Sequence, residues 1–481
     1  MKIKRIISFA VAAAMSLSLI SAQAIVASAA SSNSEKVSAA RIWNGKADKS
    51  WYTGDKDSYD ISTAEELAGF AELVDEAAHD DRFRGITINL TGDIVLNDTA
   101  NWQNWESKPP KNEWNPIGKV GNPVSGYNPF AGVFNGNGHT ISGIYVNTVE
   151  GEWIYAEASP AGLFEYISGA VICNLKIDKS VIIGSPAGAL TGLSENSYTD
   201  SVEVSNSIVQ GACQGLAGGL IGEAGRVNAT LMMFNVALLG AGVLINPLIF
   251  ADSEGTDMVR ASYVNNCKAT NITILTNAWA PTAGGIVGQI FRGGIYNSIS
   301  VNTTFSSTED YRRDWAHYGA ILGGEELQGE CELKNCYTYN YKVKDSDKKA
   351  SKKLSRSDKE RVKLVSKETL SSSELAEKLG SGFKRVKGGS PRITSISVPK
   401  VNIRFNGDKA TFSWNKVNGA VKYVIYYKKD DGKYHPISSG TKTEVVLSPI
   451  NKGGTYSMMI RSFDSEGNYT DISGGAFTFT A

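Results

Sequence analysis

Carboxylates placed a fixed distance apart can break a glycosidic bond, one as acid and the other as base or nucleophile. Asp310, Asp314, Glu325 and Glu326 gather around Trp315 and His317 in a way that invites this chemistry. The competing reading is that they are loop charges and guards of strand edges, and one sequence does not show which of them converge. His139 lies in Gly136-Asn137-Gly138-His139-Thr140-Ile141. A catalytic base needs an orienting partner, and no such partner is readable, so a role in turn packing is expected. No H-E-x-x-H, nucleophile elbow, P-loop or dinucleotide fingerprint occurs. The Gly136-x-Gly138 pair lies between strand-like runs with no helix behind it.

A second kind of chemistry needs no bond breaking. Trp102, Trp105, Trp114 and Trp153 stand in loop-like stretches, with Trp279 and Trp315 further on. An indole face suits the apolar face of a sugar, and loops carry tryptophan where it packs or binds. Trp102, Trp105, Trp114, Trp153 and Trp315 are therefore the candidate ligand-binding residues, against the alternative that the rings only anchor loops.

Such residues need a scaffold, and the scaffold is a repeat. From Phe130 the chain reads FAGVFNGNGHTISGIYV, with apolar alternation broken by Gly-Asn-Gly turns. Related phrases follow: AGLFEY (161–166), AGALTG (187–192), AGGLIG (217–222), AGVLIN (241–246), AGGIVG (283–288) and YGAILG (318–323). Most are followed by a second apolar strand carrying asparagine, as in ICNLKI (172–177) and IYNSIS (295–300). A unit this short cannot bury its own apolar face and must stack on its copies. The stacking predicts that Leu163, Leu190, Leu220, Leu244, Ile286 and Ile321 point inward as one row. Insertions are expected at 149–159, 195–200, 251–260 and 308–314, where loops leave the stack.

The AG-x-[LI]-x-G phrases, preceded by F-x-G-x-F-x-G-N-G-H-T-I-x-G, resemble the GLUG-motif proteins over about residues 43–393. The resemblance implies an all-β fold: a secreted right-handed parallel β-helix of the pectin-lyase-like kind, closed by short helices. Trp114-Asn115-Pro116-Ile117-Gly118 and the Thr63-Ala64-Glu65-Glu66-Leu67 helix start are similar to segments of that family. The zinc-protease activity that accompanies such repeats elsewhere does not carry over, because its histidine motif is absent.

The ends have their own character. Residues 1–30 read as a secretory signal peptide: Lys2, Lys4 and Arg5, then an apolar run, then Ala27-Ser28-Ala29-Ala30. Residues 31–61 are a lead-in. Residues 62–392 form the helical solenoid with its caps, Thr63 with Glu66 making a capping box and Leu67, Phe70, Ala71 and Val74 one apolar stripe. Lys342–Lys363 is lysine-heavy and expected to be a solvated excursion, or else an arm for anionic polymers. Residues 393–481 show strands with turn signals every eight to twelve residues and no cysteine. With Trp414, Tyr423 and Tyr456 they resemble a fibronectin type III domain.

Lys plus Arg and Asp plus Glu are both 49, so net charge points to no nucleic-acid partner. Five scattered cysteines make no disulfide framework and no zinc spacing, and are expected as small buried residues. No cofactor or metal is implied. The expected function is a secreted, non-catalytic binding or adhesion protein that recognises a glycan, a cell-wall polymer or a protein partner. The alternative is a polysaccharide lyase or glycoside hydrolase on the same scaffold.

Overall fold

The computed structural model describes residues 41–77, 83–121, 128–150, 157–213, 215–225, 261–276, 281–307, 316–325, 331–344, 361–380, 382–394, 401–414, 416, 420–429, 435–451, 453–463, 469–472 and 477–480. Most of the described chain before residue 394 is a parallel β-helix. One sheet stacks eight parallel strands, from Ser58–Ile61 through Thr87–Leu90, Val133–Asn135, Val171–Cys173, Tyr198–Asp200, Ser262–Asn265 and Gly293–Tyr296 to Cys331–Lys334. A second sheet stacks its neighbours along the same coils, from Ile94–Val95 to Val362–Leu364. A third, Phe164–Ser168 to Leu322–Glu325, and a fourth, Ala187–Gly188 to His317–Gly319, complete the later coils.

The coils close because like residues stack inward. In the first sheet Ile88, Phe134, Ile172, Thr199, Val264, Ile295 and Leu333 are register partners, and all are buried. The repeat phrases supply another row. Leu190 N donates to Leu220 O, Leu220 N to Ile286 O and Ile286 N to Ile321 O, while Phe164 N reaches Leu190 O. Leu163, Leu190, Leu220, Ile286 and Ile321 are fully buried, as the repeat spacing predicts.

Leu244 and the AGVLIN phrase lie outside the described residues; among the described ones Leu220 N donates to Ile286 O. One expectation about register is corrected. The 195–200 stretch is not an insertion: Tyr198–Asp200 is a full rung between Val171–Cys173 and Tyr263–Asn265.

Bends between sheets are made by asparagines in the left-handed region, which their short side chains tolerate by bonding locally. Asn174, Asn266, Asn297 and Asn335 line one bend, and Asn206, Asn271, Asn302 and Asn340 another, all with φ between 46° and 57°. Their amides form ladders. Asn271 Nδ2 donates to Asn206 Oδ1 (3.0 Å), Asn302 to Asn271 (2.9 Å) and Asn340 to Asn302 (2.8 Å).

Helix α1, Ala64–Glu76, starts in the expected capping box: Glu66 N donates to Thr63 Oγ1 and Thr63 N to Glu66 Oε2. Its buried stripe packs over the first coils, with the Phe70 ring 5.4 Å from Phe130 and 5.9 Å from Phe134. Near the other end, α2 (Lys367–Leu370) and α3 (Ser373–Leu379) place Leu370, Leu375 and Leu379 on Ile299, Val301 and Tyr337 of the second sheet. The final coil is tied by Arg361, which donates to Cys331 O (2.8 Å) and to Glu325 Oε2 (2.5 Å).

Residues 401–480 form an antiparallel β-sandwich, with three strands in one sheet and five in the other. Its core holds Phe412, Trp414, Tyr423, Ile425, Met458 and Ile460. Tyr456 Oη accepts from Asn451 N at 3.0 Å, the bond of a tyrosine corner. No helix among the described residues is long and apolar enough to cross a membrane.

Candidate ligand-binding cleft

The stretch 97–118 is a strap, not a slack loop. Asn97 and Asn112 close its first part by reciprocal amide bonds. Asn97 Nδ2 donates to Asn112 O (2.8 Å) and Asn112 N to Asn97 Oδ1 (3.0 Å). Asn112 Nδ2 then reaches Trp43 O and Leu96 O. Both asparagines are buried, so each bond is made away from competing water. Inside the clasp Asp98 caps a 3-10 helix, Thr99–Asn104, by accepting from Ala100 N.

The clasp holds open a cleft of about 650 Å³ between the strap and the lead-in. Trp43, Ile42 and Trp105 give it apolar walls, and Asp98, Asn101, Asn104, Lys108 and Lys111 offer donors and acceptors. Aromatic walls with a few polar groups make a surface for a polar, ring-shaped ligand.

The predicted tryptophans divide. Trp105 is buried, stands edge-on to Tyr145 at 6.3 Å, and joins Val181, Ile183 and Ile208 in an apolar cluster outside the second sheet; half-buried Trp102 packs against it. Trp114 is buried too, its indole N–H donating to Leu163 O (3.0 Å) while Trp43 stacks edge-on at 5.8 Å. Trp114 thus lies beneath the cleft and braces it through Trp43. Trp153, Trp279 and Trp315 lie outside the described residues. Trp43, which belongs to the lead-in, was legible only as one more aromatic residue; its place at the cleft comes from the Ile42–Val95 bridge.

Of the candidate acids, Asp310, Asp314 and Glu326 lie outside the described residues. Glu325 pairs with Arg361 and accepts from Cys331 N, so its carboxylate ties down the last coil. His317 is exposed on the fourth sheet. His139 has a partner that the sequence did not show: its Nδ1 lies 3.3 Å from Asp93 Oδ1, which also accepts from Thr140 N. The pair fixes a turn between coils.

Carboxylates with raised pKa lie elsewhere. Burial pushes up Asp75 and Glu165, and Lys119 beside both pulls them partly back. Lys119 Nζ is 3.3 Å from Glu165 and 3.9 Å from Asp75, joining α1, the strap and the third sheet. Asp200, fully buried, is pushed up to about 7 by desolvation against the pull of Asn265, Asn266 and Ser201. The five cysteines form no disulfide with one another; Cys213 is half-buried and the other four are buried. Among the described residues no cluster of His, Cys, Asp and Glu could hold a metal ion.

No family model matches the chain, and no curated protein does. Solved structures do match over small parts. They include an Fn3-like protein from Clostridium thermocellum, at 22% identity over 17% of this chain and 88% of that one, TM-score 0.15. Others are the fn3 domain of human collagen alpha-1(XX), at 18% identity over 18% and 91%, TM-score 0.16, and the FN5 domain of Drosophila Lar, at 15% identity over 18% and 96%, TM-score 0.16.

Proposed function

We propose that the protein is a secreted, non-catalytic binding protein whose ligand is a glycan or cell-wall polymer. On this reading the solenoid is a right-handed, GLUG-type, pectin-lyase-like β-helix, and the sandwich is a fibronectin type III-like spacer. The observation that carries the proposal is the cleft held open by Asn97 and Asn112, with Trp43 and Trp105 as walls and Asn101, Asn104 and Lys108 at its rim. The first thirty residues supply the reading of export.

Affinity electrophoresis and pull-down on insoluble wall and plant polysaccharides test it. Trp105 and Trp114 are unsuitable targets, since both are buried. Asn101→Ala with Lys108→Ala changes exposed side chains only. The expected result is retention of the wild type by at least one polysaccharide and about fivefold or greater weakening in the folded double variant. Equal binding by the two proteins moves the site away from the cleft. Release of sugar products from any polymer would instead make the protein an enzyme.

A further inference from the structure

Beyond the cleft, the outward face of the second sheet carries two register rows that run along the coil stack. One row is Val181, Ile208, Thr273, Thr304, Lys342; the other is Ile183, Gln210, Leu275, Ser306, Lys344. Their intervening neighbours Ile182, Val209, Ile274 and Phe305 are fully buried in the core, so the two rows face outward. Four coil steps of about 4.8 Å give the lane a length of roughly 19 Å.

The character of the lane changes along its length. At the strap end Trp105 covers Val181, Ile183 and Ile208. In the middle Thr273, Leu275, Thr304 and Ser306 are half-exposed. Gln210 Oε1 is enclosed there without a hydrogen-bond partner. The asparagine ladder from Asn206 to Asn340 borders the lane with further amides. At the far end Lys342 and Lys344 are exposed. The chain is neutral as a whole, yet residues 331–393 hold 17 Lys and Arg against 8 Asp and Glu. A surface of hydroxyls and amides ending on lysines, repeating once per coil, suits a polymer that repeats hydroxyls and carries negative charge.

We infer that this lane binds an extended anionic polysaccharide lying along the solenoid axis, its acidic groups meeting Lys342 and Lys344. The inference rests on the glycan-binding reading above and adds the charge class of the ligand and a second, longer site. Trp105 links the two, since it lines the cleft and roofs one end of the lane.

The probes are polygalacturonate and its fully methyl-esterified, neutral form, tested by affinity electrophoresis with the full chain. The lane variant is Lys342→Ala with Lys344→Ala; the control is Lys384→Ala with Lys387→Ala, two exposed lysines off the lane. The expected pattern is binding of the acidic polymer only, weakened about fivefold or more in the lane variant, little changed in the control, and falling with added salt. Equal binding of both polymers, or equal loss in lane and control variants, overturns the lane while leaving the glycan-binding reading standing. If the wild type binds neither these polymers nor any other polysaccharide, that reading falls and the lane with it.

Discussion

At the residue scale the most unusual group is Asp200, a carboxylate inside an amide ladder. Ser201 occupies the left-handed position that asparagine holds in other coils, and Asp200 bridges the gap. Its Oδ2 accepts from Asn265 (2.7 Å), and its Oδ1 from Asn266 (3.0 Å) and Ser201 (2.9 Å). The Cys267 thiol beside it, itself raised chiefly by burial, brings no positive charge. Desolvation wins, and the folded-state value is about 7. Between the ordinary carboxylate range and pH 7 the folded chain therefore keeps a proton that the unfolded chain has released. By linkage, stability falls as pH rises through that window. Thermal unfolding from pH 4 to 7.5 should show this decline, and Asp200→Asn should reduce it. It should not abolish it, because Asp75 and Glu165 are raised too. An unchanged slope in the variant would place the titration elsewhere. The five tryptophans teach a related lesson. Their positions in loop-like sequence were visible, but whether a ring faces solvent depends on what it finds across the strap. Trp105 finds Tyr145 and Val181, and Trp114 finds Leu163.

At the element scale the insertion between Gly225 and Ser262 can be dissected. Ser194, Ala224 and Ile290 occupy one register position, and Tyr198, Tyr263 and Gly294 the next. The chain makes this passage with residues 195–197 in one coil and 291–293 in another, but with 225–262 in the coil between. Gly225 and Ser262 both abut the backbone of Arg292, so the two ends lie close together. Replacing 225–262 by Glu-Asn-Ser, as at 195–197, should leave the solenoid folded, with unfolding cooperative by circular dichroism. If AGVLIN were a coil, its removal would take a layer of core with it and unfold or precipitate the chain. The phrase row elsewhere was legible because five copies share one inward position and each has a partner on both sides or at an end. Other features have no sequence signal at all. Arg361 reads as one more cation in a lysine-rich stretch, yet it reaches Glu325 and Cys331 O. The clasp of Asn97 and Asn112 reads as two polar loop residues.

At the scale of the whole molecule the question is which parts fold on their own. The sandwich has a closed core: Ala410, Phe412, Trp414, Tyr423, Ile425, Leu447, Ile450, Tyr456, Met458 and Ile460 pack together, with every member inside 401–480. Its two sheets are complete within the same residues, and the tyrosine corner is made by Tyr456 and Asn451. Among the described residues the solenoid core likewise draws only on residues before 394. A domain of about ninety residues with its own core can fold alone, though its stability is modest because small domains bury a smaller share of their surface. The fragment 393–481 should therefore give β-type circular dichroism, dispersed amide resonances and a cooperative transition. Tyr456→Phe should lower its stability by about 1 kcal/mol, the size of one lost hydrogen bond with the ring retained. Within the full chain the same substitution should move only the sandwich transition and leave the solenoid transition in place. An unfolded fragment, or one transition shared by both regions in the full chain, would mean that the sandwich draws stability from the rest of the chain.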